Sequence, residues 1–284
     1  MSHFSAVTFF LQWAAGGWFF LWVTTRRREV GLGYGWIQRA LFSAMAIGAL
    51  AGAAVSRVDP AREAAAVTFV VLGAAAQVSA VRRRRAGVAG QRATVERRSA
   101  RVAAMTGIDR AAPAFDAGAP EFDPRLDLAA AVAGLVAVVG GAVDAGGPTG
   151  LTVARAVVGA LFVGAVTDAM LLGHWYLVQP GLARGALLDL VRATGVMWVP
   201  ELVVWLWPTG MGSVLSGTID DGYNGLLGWF WAACVVTTIG LVVVARQALR
   251  EREYSAVMAA TGLMYLAILT AFGIDLVARI LLAA

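Results

Sequence analysis

Eight stretches of this sequence are apolar over about the length that crosses a lipid bilayer, and no other feature limits the fold so strongly. A spanning helix needs about 20 mostly apolar residues. The stretches fall at about 4–25, 36–56, 64–81, 127–147, 152–178, 190–207, 225–245 and 255–278, the third being short and alanine-rich. Only a helix or a closed barrel satisfies its own backbone in lipid. The predicted fold class is therefore an all-α integral membrane protein, a bundle of about eight transmembrane helices. The charged fraction agrees, at 14% of 284 residues against about 25% in a soluble domain. The chain divides into 1–81 with three helices, a basic linker over 82–126, and 127–284 with five more.

Arginine placement sets the orientation. The 23 basic residues are all arginine, which with abundant alanine, valine and glycine is the composition of a GC-rich bacterial genome. With the N-terminus outside, 19 of them fall on the inner side, including Arg26, Arg27, Arg28, Arg39, the run Arg82 to Arg85, Arg184 and Arg192. Arg57, Arg62, Arg155 and Arg279 are left outside. Positive charge collects in cytoplasmic loops, so the expected placement is a bacterial cell (inner) membrane with both termini on the outer side. The first apolar run has no basic residues before it and is too long for a cleaved signal. The linker "VRRRRAGVAGQRATVERRSARVAAM" reads as a cytoplasmic loop lying on anionic lipid, with docking of a soluble partner as its other use. Nucleic acid is not an expected partner despite the net charge of +5, because the arginines sit in membrane-flanking loops.

Two weak similarities suggest a pair of parallel four-helix repeats. "GWFFLW" at 17–22 matches "GHWYLV" at 173–178, and the fourth and eighth helices each carry an aspartate near the outer end, Asp144 and Asp275. A duplicated membrane protein places its site between the halves.

Asp168 and Glu201 are the polar groups at the most expensive depth. A charged side chain at the centre of a spanning helix costs at least about 2.5–3.5 kcal/mol. Asp168 precedes Gln179 by 11 residues, and Glu201 follows Asp189 by 12. At 1.5 Å per residue both lie roughly 16–18 Å from the turn that joins their helices. Equal depth on adjacent antiparallel helices lets the carboxylates face each other and share a proton. Glu201 follows Pro200, which removes a hydrogen bond to the Val196 carbonyl and is expected to kink the helix. The competing expectation is that Glu201 only joins helices as a neutral hydrogen-bonding group.

His174 is shallower, about 8 Å from the turn, in an aromatic cluster with Trp175, Tyr176 and Gln179. His174, Trp175 and Tyr176 suit a quinone headgroup as donors and stacking surface; an interfacial aromatic belt is the plain alternative. Haem b fits less well. The second histidine, His3, belongs to the opposite side of the membrane, so Met170, Met197 or another subunit would supply the second ligand. No metal site is expected, and Cys234, the single cysteine, excludes an intrachain disulfide. Nucleotide, phosphate-loop and hydrolase motifs are absent.

These readings leave three classes. The first is a membrane subunit of a bacterial respiratory complex that anchors redox partners and binds quinone, with Asp168 and Glu201 as a proton path. The second is a proton-coupled transporter or channel using the same carboxylates. The third is a purely structural membrane subunit.

Overall fold

The computed structural model describes residues 4–84, 86, 100, 101, 103–105, 120–179, 182, 184–208, 210–251 and 253–283. It is 82% helix, with no strand among the described residues. The long helices are α1 (Ala6–Thr25), α2 (Leu32–Val55), α3 (Pro60–Arg82), α4 (Pro124–Asp144), α5 (Thr149–Val178) and α6 (Gly185–Leu206). A short α7 (Met211–Leu215) precedes α8 (Leu226–Ala248) and α9 (Tyr254–Ala283). Among the described residues, seven helices are long and apolar enough to cross a membrane. The remaining long helix, α6, carries Asp189, Arg192 and Glu201 within its 22 residues. Most of the linker and His3 lie outside the described residues.

Local chemistry explains where the helices begin. Asp59 and Asp123 each accept backbone N–H bonds at the start of α3 and α4. Each is followed by a proline at the first helical position, where the missing N–H costs nothing. Capping extends α3 to 23 residues, so the third helix is not the short one that its alanines suggested. The helix α6 runs through Pro200 without a break. Both α5 and α9 reach 30 residues, which draws Arg155 and Arg279 into helices, where the arginine count had put them outside the membrane. Hydropathy windows stop at charge; helices do not when the charge is paired inside the protein.

Successive long helices run in opposite directions. Ser5, Arg62, Asp144, Arg155 and Arg279 meet at one end of the bundle, called here the terminal end because α1 starts and α9 stops there. Arg28, Glu121, Asp189 and Tyr254 meet at the other, the arginine-rich end. Each half closes as a ring of four helices. In the first, α1 packs on α2, α2 on α3, α3 on α4, and α4 back on α1. In the second, α5, α6, α8 and α9 repeat the same cyclic order. The halves join chiefly along α1 and α5.

That seam is made by small residues. A Cβ on Gly16 would stand 1.7 Å from the Ala160 carbonyl oxygen, and one on Gly164 would stand 2.2 Å from the Gly16 carbonyl carbon. The two backbones therefore touch, the close approach that small residues permit between helices in lipid. Of the most apolar part of α5, 72% is buried, against 28% in α3 and in α8. This makes α5 the central helix, and both groups of interior polar side chains hang from it.

Candidate functional site

The terminal-end group assembles on four helices. On α9, Asp275 and Arg279 are four residues apart and share one face. Arg279 grips Asp275 through Nε at 2.8 Å and Nη2 at 2.9 Å. The α1 side chain Gln12 donates to the same carboxylate at 2.9 Å. From α5, Arg155 donates Nε to the Val204 carbonyl at 2.9 Å, and its own carbonyl accepts from Arg279 at 2.9 Å. Both guanidinium groups lie over the Trp205 ring of α6, 4.8 and 5.3 Å from its centre. Glu201, one turn earlier on α6, accepts from Trp205 Nε1 at 2.6 Å.

Glycine makes this meeting possible. A Cβ at position 159 would come within 2.5 Å of Asp275 Oδ1, 2.7 Å of Gln12 Nε2 and 2.8 Å of Arg279 Nη2. Glu201 and Asp275 are fully buried. Glu201 Oε2 and Gln12 Oε1 have no hydrogen-bond partner, and the Asp275 carboxylate is the acidic neighbour of Glu201. Above the group, Arg155, Arg279 and Trp205 line a cleft of about 560 Å³, counting the part open to solvent.

The second group lies farther along α5. Asp168 is fully buried, and the Tyr34 hydroxyl of α2 donates to its Oδ1 at 3.2 Å. Its Oδ2 has no partner. Beside it, Thr167 receives Trp13 Nε1 of α1 at 2.9 Å. Between Gly159 and Thr167 the helix offers only Ala160, Leu161, Phe162, Val163, Gly164, Ala165 and Val166. That is an apolar girdle of about 12 Å, and it coincides with the backbone contact at Gly16.

The structure gives the two carboxylates foreseen as a pair different partners. Asp168 belongs with Tyr34, and Glu201 with Trp205 and Asp275. Asp168 stands 13 residues past Arg155, whereas Glu201 stands three before Val204, whose carbonyl Arg155 reaches. Their depths therefore differ by about 15 Å. Counting from the joining turn gave equal depths because the count on α6 began at Asp189, four residues after the helix starts at Gly185.

The aromatic cluster also divides. His174 is exposed and meets Tyr265 edge to face at 6.2 Å. Trp175 turns to Tyr34, 6.1 Å away, and donates to Gln179 at 3.0 Å. Tyr176 is buried, with its carbonyl accepting from Tyr254 at 3.4 Å. Neighbouring residues on a helix are about 100° apart, so three in a row do not surround one headgroup.

Another buried ion pair joins α2 and α4. Arg39 grips Asp127 with Nε at 2.9 Å and Nη2 at 2.5 Å, and Thr25 donates to Asp127 at 3.3 Å. The guanidinium lies 4.5 Å from the Phe122 ring centre. Gln12, Tyr34, Arg39, Asp127, Arg155 and Arg279 were not foreseen as interior partners. The i, i+4 spacing of Asp275 and Arg279 was the signal available. Among the described residues no group of three or more His, Cys, Asp or Glu could hold a metal ion. Compared with protein-family models, curated proteins and solved structures, the chain matches none.

Proposed function

We propose that this chain is a proton-coupled transporter of a bacterial cell (inner) membrane. In this reading α6 also spans the bilayer, which brings the count to eight. The terminal end faces outward, and the basic linker lies in the cytoplasm. The repeated cyclic packing of the two halves supports an origin by duplication, with the α1–α5 seam as the surface on which the halves move.

The observation that carries the reading is the pair of buried carboxyl groups on either side of an apolar girdle. Glu201 beside Asp275 lies under a cleft at one end, and Asp168 beside Tyr34 lies toward the other. Ionisable groups inside a membrane are costly and mark proton or substrate paths. Sites separated by a tightly packed seam suit alternating access between two faces. Purified protein in proteoliposomes with an internal pH dye tests this. Glu201→Gln and Asp168→Asn should each slow proton entry by more than about tenfold, whereas Asp144→Asn, at the surface, should not. Equal flux in all variants would refute the reading.

A second reading has one observation in its favour. His174 and Tyr265 are exposed on the side of the bundle, where a quinone in the lipid or another subunit of a respiratory complex could reach them. Solvent extraction followed by mass spectrometry tests it: stoichiometric quinone, lost in His174→Ala, would move the assignment to an electron-transfer subunit.

A further inference from the structure

The outer side of α3 changes character at its last turn. Val71, Ala75, Val78 and Arg82 follow one another at intervals of four, three and four residues, so they form one stripe along the helix. All four are exposed on the bundle, and only 28% of the most apolar part of α3 is buried. The stripe is hydrocarbon for three positions and then ends in a guanidinium, at the arginine-rich end. Ala75, Val78 and Ser79 of α3, Arg82 and Arg83 at its end, and Leu126 of α4 line a groove of about 740 Å³, counting the part open to solvent.

The two arginines of the groove are held differently. Arg83 reaches across to the start of α4, donating Nη1 to the Phe122 carbonyl and Nη2 to Asp123, each at 3.4 Å. These long contacts fix the guanidinium between the helices without enclosing it, for its side chain is 34% exposed. Arg82 pairs with no carboxylate among the described residues. The other oxygen of Asp123 is taken up in capping α4. One carboxylate therefore stands against two guanidinium groups where the apolar stripe stops.

We propose that this groove binds an anionic phospholipid of the surrounding bilayer, with its phosphate against Arg82, Arg83 and the Ser79 hydroxyl and one acyl chain along Val78, Ala75 and Val71. The order of the residues selects this occupant. A phospholipid is a hydrocarbon chain that ends in a charged phosphodiester, and the stripe is a run of hydrocarbon that ends in arginine. Guanidinium forks match phosphate oxygens, and basic pockets between membrane helices hold anionic headgroups. A soluble phosphate would use the arginines and leave the stripe idle. A zwitterionic lipid would bring a third cation beside the two. The inference requires lipid around α3 and α4 and is independent of proton coupling.

The test is native mass spectrometry of the full chain released from uncharged detergent, with dioleoyl phosphatidylglycerol or dioleoyl phosphatidylcholine added at equal concentration. The wild type should retain one phosphatidylglycerol in preference to phosphatidylcholine. Arg82→Gln should weaken that retention about fivefold, the effect of one arginine beside an anionic lipid. Arg250→Gln, an exposed arginine at the same end of the other half, should leave it unchanged. Ala75→Trp and Val78→Trp, at exposed positions of the stripe, should each fill the groove and lower retention. Equal retention of the two lipids, or an equal loss in Arg82→Gln and Arg250→Gln, would overturn the proposal and reduce these arginines to general surface charge. Displacement of phosphatidylglycerol by glycerol 1-phosphate at equal concentration, or full retention in both tryptophan variants, would overturn it in favour of a soluble phosphate. Proton flux is not read here, so either result leaves the transport reading to its own test.

Discussion

Two buried arginine–carboxylate groups sit at opposite ends of this bundle, and they are built for different purposes. At the arginine-rich end, Arg39 and Asp127 are one cation and one anion, gripped at two points and closed over by Phe122. Both carboxylate oxygens are held, Arg39 Nη1 alone has no hydrogen-bond partner, and the pair acts as a strut between α2 and α4. At the terminal end, Asp275 has its own arginine too, but a second carboxyl group and a second guanidinium crowd beside it under an open cleft. The surplus distinguishes them. A single cation gripping a single anion holds helices together; a second buried carboxyl group beneath a cleft gives the other end a group that can exchange a proton.

The largest effect should come from breaking the strut. Removing one partner of a buried ion pair costs about 3–5 kcal/mol, because the other charge is left uncompensated. Asp127→Ala should therefore lower the thermal midpoint and the folded yield in detergent more than any other single change at these two sites. The double variant Arg39→Met with Asp127→Leu should recover most of the loss, since apolar residues replace such a pair at little cost. A double variant as unstable as the single one would mean that the pair has a role beyond bracing.

A smaller effect should follow from crowding the exchangeable group. Gly159→Ala places a methyl within 2.5 Å of Asp275 Oδ1 and against Gln12 and Arg279, and overpacking of this kind costs about 1–3 kcal/mol. Proton flux should fall, while the Arg39–Asp127 end stays unchanged by hydrogen exchange. Loss of protection at both ends would show that the two groups are not independent.

Much of this contrast was hidden in the sequence for a physical reason. Apolar runs report where a helix meets lipid, so the bundle and the interior positions of Asp168 and Glu201 were legible. They do not report which residues face protein. Arg155, just inside the expected fifth span, and Arg279, just beyond the eighth, were counted only as outer-side charges, although each reaches a backbone carbonyl distant in sequence. Gly159 looked like any other glycine. Its role exists only because α1, α5 and α9 converge on it. Asp168 and Glu201 were matched in depth by counting residues from a turn, and the count fails because Asp189, taken as the edge of the turn, already lies inside α6.

Substitutions that change protonation without changing shape should cost least in stability and sharpen the comparison most. Glu201→Gln keeps the Trp205 hydrogen bond and fixes the neutral form, so its stability should stay within about 1 kcal/mol of wild type. Proton flux should nonetheless collapse. Tyr34→Phe removes the one hydroxyl that serves Asp168, at a cost of about 1 kcal/mol. If Asp168 lies on the same path, flux should fall in this variant. A Tyr34→Phe protein that conducts normally would confine function to the terminal end.

The smallest effect belongs to a carboxylate outside both groups, and it separates cation pairing from hydrogen bonding. Asp221, in the connection before α8, accepts backbone N–H bonds from Tyr223, Gly225, Leu227 and Gly228 at 2.8–3.3 Å. Gly225 holds φ of 82°, a left-handed conformation that suits glycine and turns the chain into the helix. Desolvation opposes the charge on Asp221, but the four donors outweigh it and hold the carboxyl below its ordinary range. Its folded-state pKa is depressed, so the stabilisation is present above the unfolded value and is lost as pH falls through the folded one. Acidification below the ordinary carboxylate range should therefore loosen this loop first, seen as faster amide exchange at Leu227 and Gly228. Asp221→Asn should show that exchange already at neutral pH, with binding and flux unaltered. Exchange that stays slow at low pH would mean that the turn holds without the charge.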